Sequence, residues 1–284
     1  MIRLLAIDID GTLLDSRGRI PKAHRQALSE ASAQGVAIAL VTGRSFHFTR
    51  PIADLLQMPV TMIVNNGAMA KSVEGATLLR RLLPRDAALA VLAGTRAFED
   101  SVAIVFDRQD ERQIMFERMD WTHPHRRGYY EKNKAFIAAT SPLVEALTED
   151  PVQVMFTGGV NRMRALATEL RTMPIAHRFA VALTEYELRD FSLVDVNDAG
   201  CSKGSTLAQW AATRGVAREE VMAVGDNLND LEMLEFAGLP VVMGNATEAI
   251  KARGFPIVPG HDEGGLAVAI RRFALADDDA SRGG

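Results

Sequence analysis

Leu4-Leu5-Ala6-Ile7-Asp8-Ile9-Asp10-Gly11-Thr12-Leu13-Leu14 is the stretch on which the fold turns. Its four leading apolar residues mark a strand covered on both faces. Two carboxylates, two residues apart, stand at the strand's C-terminal end, and a glycine then lets the backbone turn. Carboxylates placed this way repel each other and lose hydration. A divalent cation would offset both costs, and hard oxygen ligands with an acidic partner such as Asp226 suit magnesium. Asp-x-Asp alone is equally an acidic strand end capped by a turn. The Gly11-Thr12-Leu13 that follows favours the functional reading.

Working outward, strands and helices alternate. Pro21 opens a helix with Ala23, Ala27, Leu28 and Ala31 on one face, and Gly35 closes it. A second buried strand, 36–41, ends at Thr42-Gly43-Arg44. A helix through Ile52, Leu55 and Leu56 leads to Met62-Ile63-Val64, a strand ending at Asn65-Asn66-Gly67. The pattern resumes with a helix over 203–214. Val221-Met222-Ala223-Val224 then runs into Gly225-Asp226, and Val241-Val242-Met243 into Gly244-Asn245. A short strand at Ile257-Val258 and a closing helix over 264–275 follow. This βαβαβ order predicts an α/β fold: a Rossmann-like parallel sheet with helices on both faces and right-handed crossovers. The middle has a different texture. Helical stretches at 84–97, 141–149 and 161–171 alternate with apolar runs at 102–106 and 152–156. The expected organisation is a catalytic core over 1–82 and 191–284, with an inserted α+β domain over 83–190.

Composition narrows the function. The chain has 284 residues, 48% hydrophobic and 24% charged, as expected of a globular protein rather than a disordered one. A net charge of -4 supplies no global positive field for nucleic acid or anionic lipid. No apolar run approaches the ~20 residues of a membrane span. The apolar run at the N-terminus carries Asp8 and Asp10, which a signal peptide would not, so a cytoplasmic location is the default expectation. The single cysteine, Cys201, permits no intrachain disulfide and reads as inert packing. Residues 277–284 read as a frayed, solvated tail.

Three further segments carry chemistry. Thr42-Gly43-Arg44 places a hydroxyl and free N–H groups at a strand-to-helix turn, either a phosphate seat or a simple helix N-cap. Ser202-Lys203-Gly204 puts a cation at a helix start, where the helix dipole disfavours it. A lysine aimed into an acidic, phosphate-binding crevice would have a reason to be there; otherwise it is a surface lysine. Gly225-Asp226-Asn227-Leu228-Asn229-Asp230 sets two acids four apart, able to face one site, in a loop also rich in turn formers. All these segments follow parallel strands or open helices at one sheet edge, where open α/β sheets bind ligands.

Together with Asn65-Asn66-Gly67-Ala68, and in this order, the four segments resemble the motifs of the haloacid dehalogenase-like superfamily, in its Cof-type sugar-phosphatase branch. The resemblance implies a magnesium-dependent phosphatase acting on small phosphorylated metabolites. Asp8 would be nucleophile and metal ligand. Asp10 would be general acid and base, with its carbonyl on the metal. Thr42, Gly43 and Lys203 would hold the phosphoryl group. Asp226 would ligate magnesium, Asn229 would shape the substrate site, and Asp230 would lie near the metal or Lys203. The inserted domain would be a cap that sets specificity. Its Trp121, His123, His125, Arg126, Arg127, Tyr129 and Tyr130 form either a recognition cluster or a partly buried loop with a solvated basic edge. The expected partner is a small phosphate ester, with no nucleic acid and no membrane, on a monomer or homodimer. Sugar phosphates lead as substrates. A phosphorylated cofactor (pyridoxal phosphate or a flavin nucleotide), a phosphomutase reaction and a non-catalytic sensor are the alternatives.

Overall fold

The computed structural model describes residues 1–108 and 112–275, so the expected tail at 277–284 lies outside the described residues. The chain divides into two compact units, residues 1–79 with 203 onward, and Arg80–Ser202. The first unit contributes β1 (Leu4–Ile7), α1 (Lys22–Ala33), β2 (Ala37–Val41), α2 (Phe46–Asp54), β3 (Thr61–Val64) and β4 (Met69–Ser72), and β5 (Thr77–Arg80) closes that sheet. The second unit holds α3 (Arg85–Gly94), β6 (Val102–Val105), β7 (Ile114–Phe116), α4 (Pro124–Asn133), β8 (Ile137–Ala139), β9 (Gln153–Gly158), α5 (Val160–Thr172), β10 (Phe179–Tyr186) and β11 (Phe191–Asp198). The chain then returns through α6 (Lys203–Thr213), β12 (Val221–Gly225), α7 (Leu231–Phe236), β13 (Leu239–Met243), α8 (Glu248–Lys251), β14 (Ile257–Val258) and α9 (Gly265–Ala269).

In the first unit the strand order is β14-β13-β12-β1-β2-β3-β4-β5. The six strands from β14 to β3 run parallel, and β4 turns back antiparallel to β3. All four residues of β1 are fully buried. Alternate residues serve two faces: Leu4 and Ala6 join a core with Ala39, Val41, Ile63, Leu207, Trp210 and Met233, beneath α6 and α7. Gly204 is needed there, because a Cβ would lie 2.5 Å from the Glu232 backbone. Register brings the strand ends level. Ile7 pairs with Val224 on one side and Leu40 on the other, and Val41 pairs with Ile63. The chain leaves β1 towards β2 on one side and later fills β12 to β14 on the other, so the topological switch point lies beside β1.

The second unit is a six-stranded sheet in the order β10-β11-β9-β6-β7-β8, antiparallel except for β7 with β8. Residues of α3 and α5, including Val91, Met163, Leu166 and Leu170, bury one sheet face through Ile104, Val154, Phe156 and Val194. Here the organisation departs from the expected boundaries of 83–190. The 191–198 segment is β11, paired along its length with β10 and over Ser192–Val196 with β9, because its alternating Val194 and Val196 fill the second unit's core. The hairpin turn before it carries Asp190 in a left-handed conformation, which the sequence signals only weakly.

Local readings also shift. The 141–149 helix shortens to one 3-10 turn, Leu143–Ala146, behind an extended Pro142. The closing helix breaks at 269 into a π-helical turn, Ile270–Ala274. The 121–130 segment, expected as a loop, contains α4, with Pro124 at its first turn. Arg126 of α4 is 5% exposed and serves as an anchor: its guanidinium donates to Thr157 Oγ1, the Asp120 carbonyl and Ser101 Oγ. Among the described residues, no helix is long and apolar enough to cross a membrane.

Candidate active site

Asp8 continues the β1 ladder, its N–H donating to the Val224 carbonyl at 3.0 Å. The chain then doubles back. The carbonyls of Asp8 and Ile9 accept from the N–H groups of Leu13 and Leu14. Gly11 makes this possible with φ +88°, and a Cβ there would come within 2.2 Å of Asp226 Oδ2. Thr12 Oγ1 donates to Asp226 Oδ1 at 3.2 Å. Asp226 therefore reaches the Asp8 turn from the neighbouring end of β12. Two residue types decide this contact, a glycine and a short hydroxyl.

Lys203, the first residue of α6, is 1% exposed. Its Nζ donates to Asp8 Oδ1 and to Asp230 Oδ1, each at 2.6 Å. Asp230 is completely buried, and its Oδ2 accepts the N–H groups of Asp226 and Asn227, both at 3.0 Å. One carboxylate oxygen from each of Asp8, Asp226 and Asp230 falls within a group spanning no more than 4.8 Å.

The charges do not balance. Burial, then the charge of Asp230, push the Asp8 carboxyl up to about 7 against the pull of Lys203. Burial and the Asp8 charge hold Asp226 well above the usual carboxylate range. Burial works against the Lys203 ammonium too, but the Asp230 and Asp8 charges outweigh it and keep it protonated. Three carboxylates share one ammonium, and the deficit is what a divalent cation would fill. An all-oxygen donor set fits a hard cation of the magnesium type.

The Asp10 side chain does not join this group. Its carboxylate, about one-third exposed, is gripped by Arg44, with Nε to Oδ2 at 2.7 Å and Nη2 to Oδ1 at 2.6 Å. Thr42 is buried, and its Oγ1 accepts the Arg44 N–H at 3.2 Å, so the hydroxyl shapes its own turn. Gly43 lies against Asn66: a Cβ at 43 would sit 3.1 Å from Asn66 Oδ1. Asn229 Nδ2 donates to that same Oδ1 at 3.0 Å. Asp8, Asp10, Thr42, Gly43, Lys203, Asp226, Asn229 and Asp230 thus all lie in the first unit.

The model of the haloacid dehalogenase-like hydrolases matches residues 5–270. The chain belongs to that family. Among its relatives, pyridoxal phosphate phosphatase YbhA of Escherichia coli is 28% identical over 282 residues, spanning 94% of this chain and 97% of its own. The 5-amino-6-(5-phospho-D-ribitylamino)uracil phosphatase YcsE of Bacillus subtilis is 28% identical over 278 residues, 96% of each chain. The solved structure of a HAD subclass IIB sugar phosphatase superposes with a TM-score of 0.77 at 23% identity, covering 96% of this chain and 99% of that one.

Within this haloacid dehalogenase-like site, three residues lacked an assigned role in the sequence. Arg44 was visible only as the end of Thr42-Gly43-Arg44, and its partner is 34 positions away. Thr12 and Asn66 stood inside quoted motifs, and only the fold shows what they touch. In the second unit, half-buried rings of the 121–130 cluster touch one another and their neighbours: Trp121 meets Phe116 and Tyr130, while His123 and His125 flank Phe191.

Proposed function

We propose that this chain is a magnesium-dependent phosphatase that hydrolyses small phosphorylated metabolites, sugar phosphates foremost, through an aspartyl-phosphate on Asp8. The observation that carries the reading is Lys203 buried between Asp8 and Asp230 beside Asp226. Membership of the family makes the chain a phosphoric monoester hydrolase. Asp8, Asp226 and Asp230, with the Asp10 carbonyl, are the residues that would hold magnesium. When bound, the ion supplies positive charge beside the transferring phosphoryl group.

The chain's own groups then divide the work. An Asp8 carboxylate oxygen attacks phosphorus as the ester P–O bond breaks, and Asp10, which must first leave Arg44 and take up a proton, gives that proton to the departing oxygen. Asp10 next takes a proton from the water that attacks the same phosphorus, freeing Asp8 and inorganic phosphate. Lys203 holds Asp8 in place and sets a fixed positive charge at the phosphoryl oxygens. At the strand-to-helix turn Gly43 would offer its backbone N–H and Thr42 its hydroxyl, the Thr42 N–H being taken by the Ile63 carbonyl.

A phosphorylated cofactor is the second reading, favoured by the relative named as a pyridoxal phosphate phosphatase. The test is release of inorganic phosphate from a panel of sugar phosphates, pyridoxal phosphate and flavin mononucleotide, with magnesium or with EDTA. Magnesium-dependent release that disappears in Asp8→Asn is expected. Release persisting in EDTA, or in folded Asp8→Asn, would overturn the mechanism. Isomerised phosphate ester without free phosphate would instead identify a mutase.

A further inference from the structure

The Asn65–Gly67 turn after β3 belongs to a quoted motif, yet the chemistry above gives it no task. Its backbone is unusual: φ is +51° at Asn65, +53° at Asn66 and +98° at Gly67, three consecutive residues in the left-handed region. Asparagine enters that region more readily than other side chains with a Cβ, and strain of this kind gathers at functional sites. Both asparagines are buried.

The turn's bonds reach three of the segments that carry the site. Asn65 N–H donates to the Arg44 carbonyl at 2.9 Å and Asn66 N–H to the Thr42 carbonyl at 3.0 Å. Asn66 Oδ1 accepts from Asn229 Nδ2 at 3.0 Å, while the same amide lies against the bare Cα of Gly43. Thr206 of α6, one turn beyond Lys203, donates its hydroxyl to the Gly67 carbonyl at 2.6 Å. Strands β2 and β12 and the lysine helix therefore meet at one turn, which itself offers no ionisable group.

We infer that Asn66 is a positioning residue for phosphoryl transfer, setting the Thr42-Gly43 turn and Asn229 in mutual register through its side-chain amide. This rests on the reading of these strand ends as a phosphate-ester site. The left-handed backbone aims the amide between Gly43 and Asn229, and the missing Cβ at Gly43 leaves it room. The bond from Thr206 fixes the turn against the helix that presents Lys203. Displacing the amide would shift the phosphate seat against Asp8, and sub-ångström to ångström shifts of this kind are costly in rate.

The experiment is a double-mutant cycle with p-nitrophenyl phosphate in saturating magnesium. Asn66→Gly keeps the left-handed backbone and removes the amide; Asn229→Ala removes the donor. Each single change is expected to lower kcat/KM ~10-fold, and the double variant to be about as slow as the slower single, not ~100-fold slower. Asn66→Asp keeps both the backbone preference and an acceptor for Asn229, so kcat should stay within ~3-fold of wild type. Its KM should rise ~10-fold, because a charge now faces the phosphate. Additive losses in the cycle, or a lowered melting temperature with kcat and KM unchanged, would overturn the inference. So would a fall in kcat for Asn66→Asp as deep as that for Asn66→Gly. If Asn66→Gly fails to fold, Asn229→Ala and Asn66→Asp decide: a fall in kcat/KM below ~3-fold for Asn229→Ala, or a fall in kcat beyond ~3-fold for Asn66→Asp, would overturn the inference. A wild-type protein inert towards every phosphate ester would overturn the phosphatase reading, and this inference with it.

Discussion

Lys203→Met is the perturbation that most directly weighs the charge balance of the site. The ammonium lies 2.6 Å from Asp8 and 2.6 Å from Asp230, with all three groups buried. At an effective dielectric constant of ~20, each contact represents roughly 6 kcal/mol of gross attraction. Desolvation offsets most of that, and removing one member of a buried pair typically costs ~3–5 kcal/mol net. Asp230 keeps the N–H groups of Asp226 and Asn227, so the loss falls chiefly on Asp8. Burial already pushes Asp8 up to about 7, and without the lysine it takes up a proton and ceases to be a nucleophile.

The assay is urea unfolding at pH 8 in EDTA. Trp210 sits in the first unit's core, and Trp121 is the chain's other tryptophan. In a Trp121→Phe background, fluorescence then reports only the unit that carries the site. Lys203→Met is expected to lose ~3–5 kcal/mol. Magnesium should restore ~2–3 kcal/mol of it at about 100 times its dissociation constant, without restoring turnover. A loss below ~1 kcal/mol in EDTA, or no response of the variant to magnesium, would refute the account of one ammonium balancing three carboxylates.

Other outcomes follow from single residues. Asp10→Asn should give a burst of about one nitrophenol per active site with p-nitrophenyl phosphate, because the good leaving group needs no proton while the attacking water has lost its base; no burst with a sugar phosphate is expected. His24 is fully buried, with Nδ1 2.9 Å from the Leu13 carbonyl, and burial lowers its pKa below the ordinary 6.5. The unfolded chain then binds a proton that the folded one refuses, so His24 costs stability as pH falls through 6.5; the drop between pH 8 and pH 5 should shrink in His24→Asn. Cys201 is 4% exposed and burial pushes its thiol up to about 12, so alkylation of the folded protein at pH 8 should run on the order of 10³-fold slower than for a free thiol. Cys201→Ser should retain kcat, and a large loss in the folded variant would reopen a thiol mechanism.

The legible parts of this molecule are those with local causes. A continuous apolar run closed by a polar residue marks β1, β2, β3 and β12, and parallel register alone brings their ends together. Lys203 stood out because a cation at a helix start opposes the dipole. What the sequence hid depends on partners far along the chain. Arg44 and Asp10 are 34 positions apart, and Asn66 and Asn229 are 163 apart. The boundary at β11 was missed for a related reason: Val194 and Val196 alternate like the residues of any half-buried strand, and nothing local says which sheet they join.

The same distinction separates reaction from substrate. Two relatives, each 28% identical over nearly the full chain, are named for chemically different esters, one of a pyridoxal and one of a ribitylaminouracil. Overall likeness at that level therefore cannot fix the substrate, whereas the phosphatase chemistry is common to both. In this chain the charged groups proposed for that chemistry all stand at the strand ends and the α6 start of the first unit. They are held by contacts that tolerate little change: a glycine against Asp226, a hydroxyl on Asp226 and an ammonium between two buried carboxylates. The ring cluster of the second unit is held differently, by ring contacts around the Arg126 anchor. Trp121 packs on Phe116 and Tyr130, and His123 and His125 on Phe191, through ring faces and edges. The groups proposed for the transfer step have little room to change where one added Cβ at Gly11 strikes the Asp226 carboxylate.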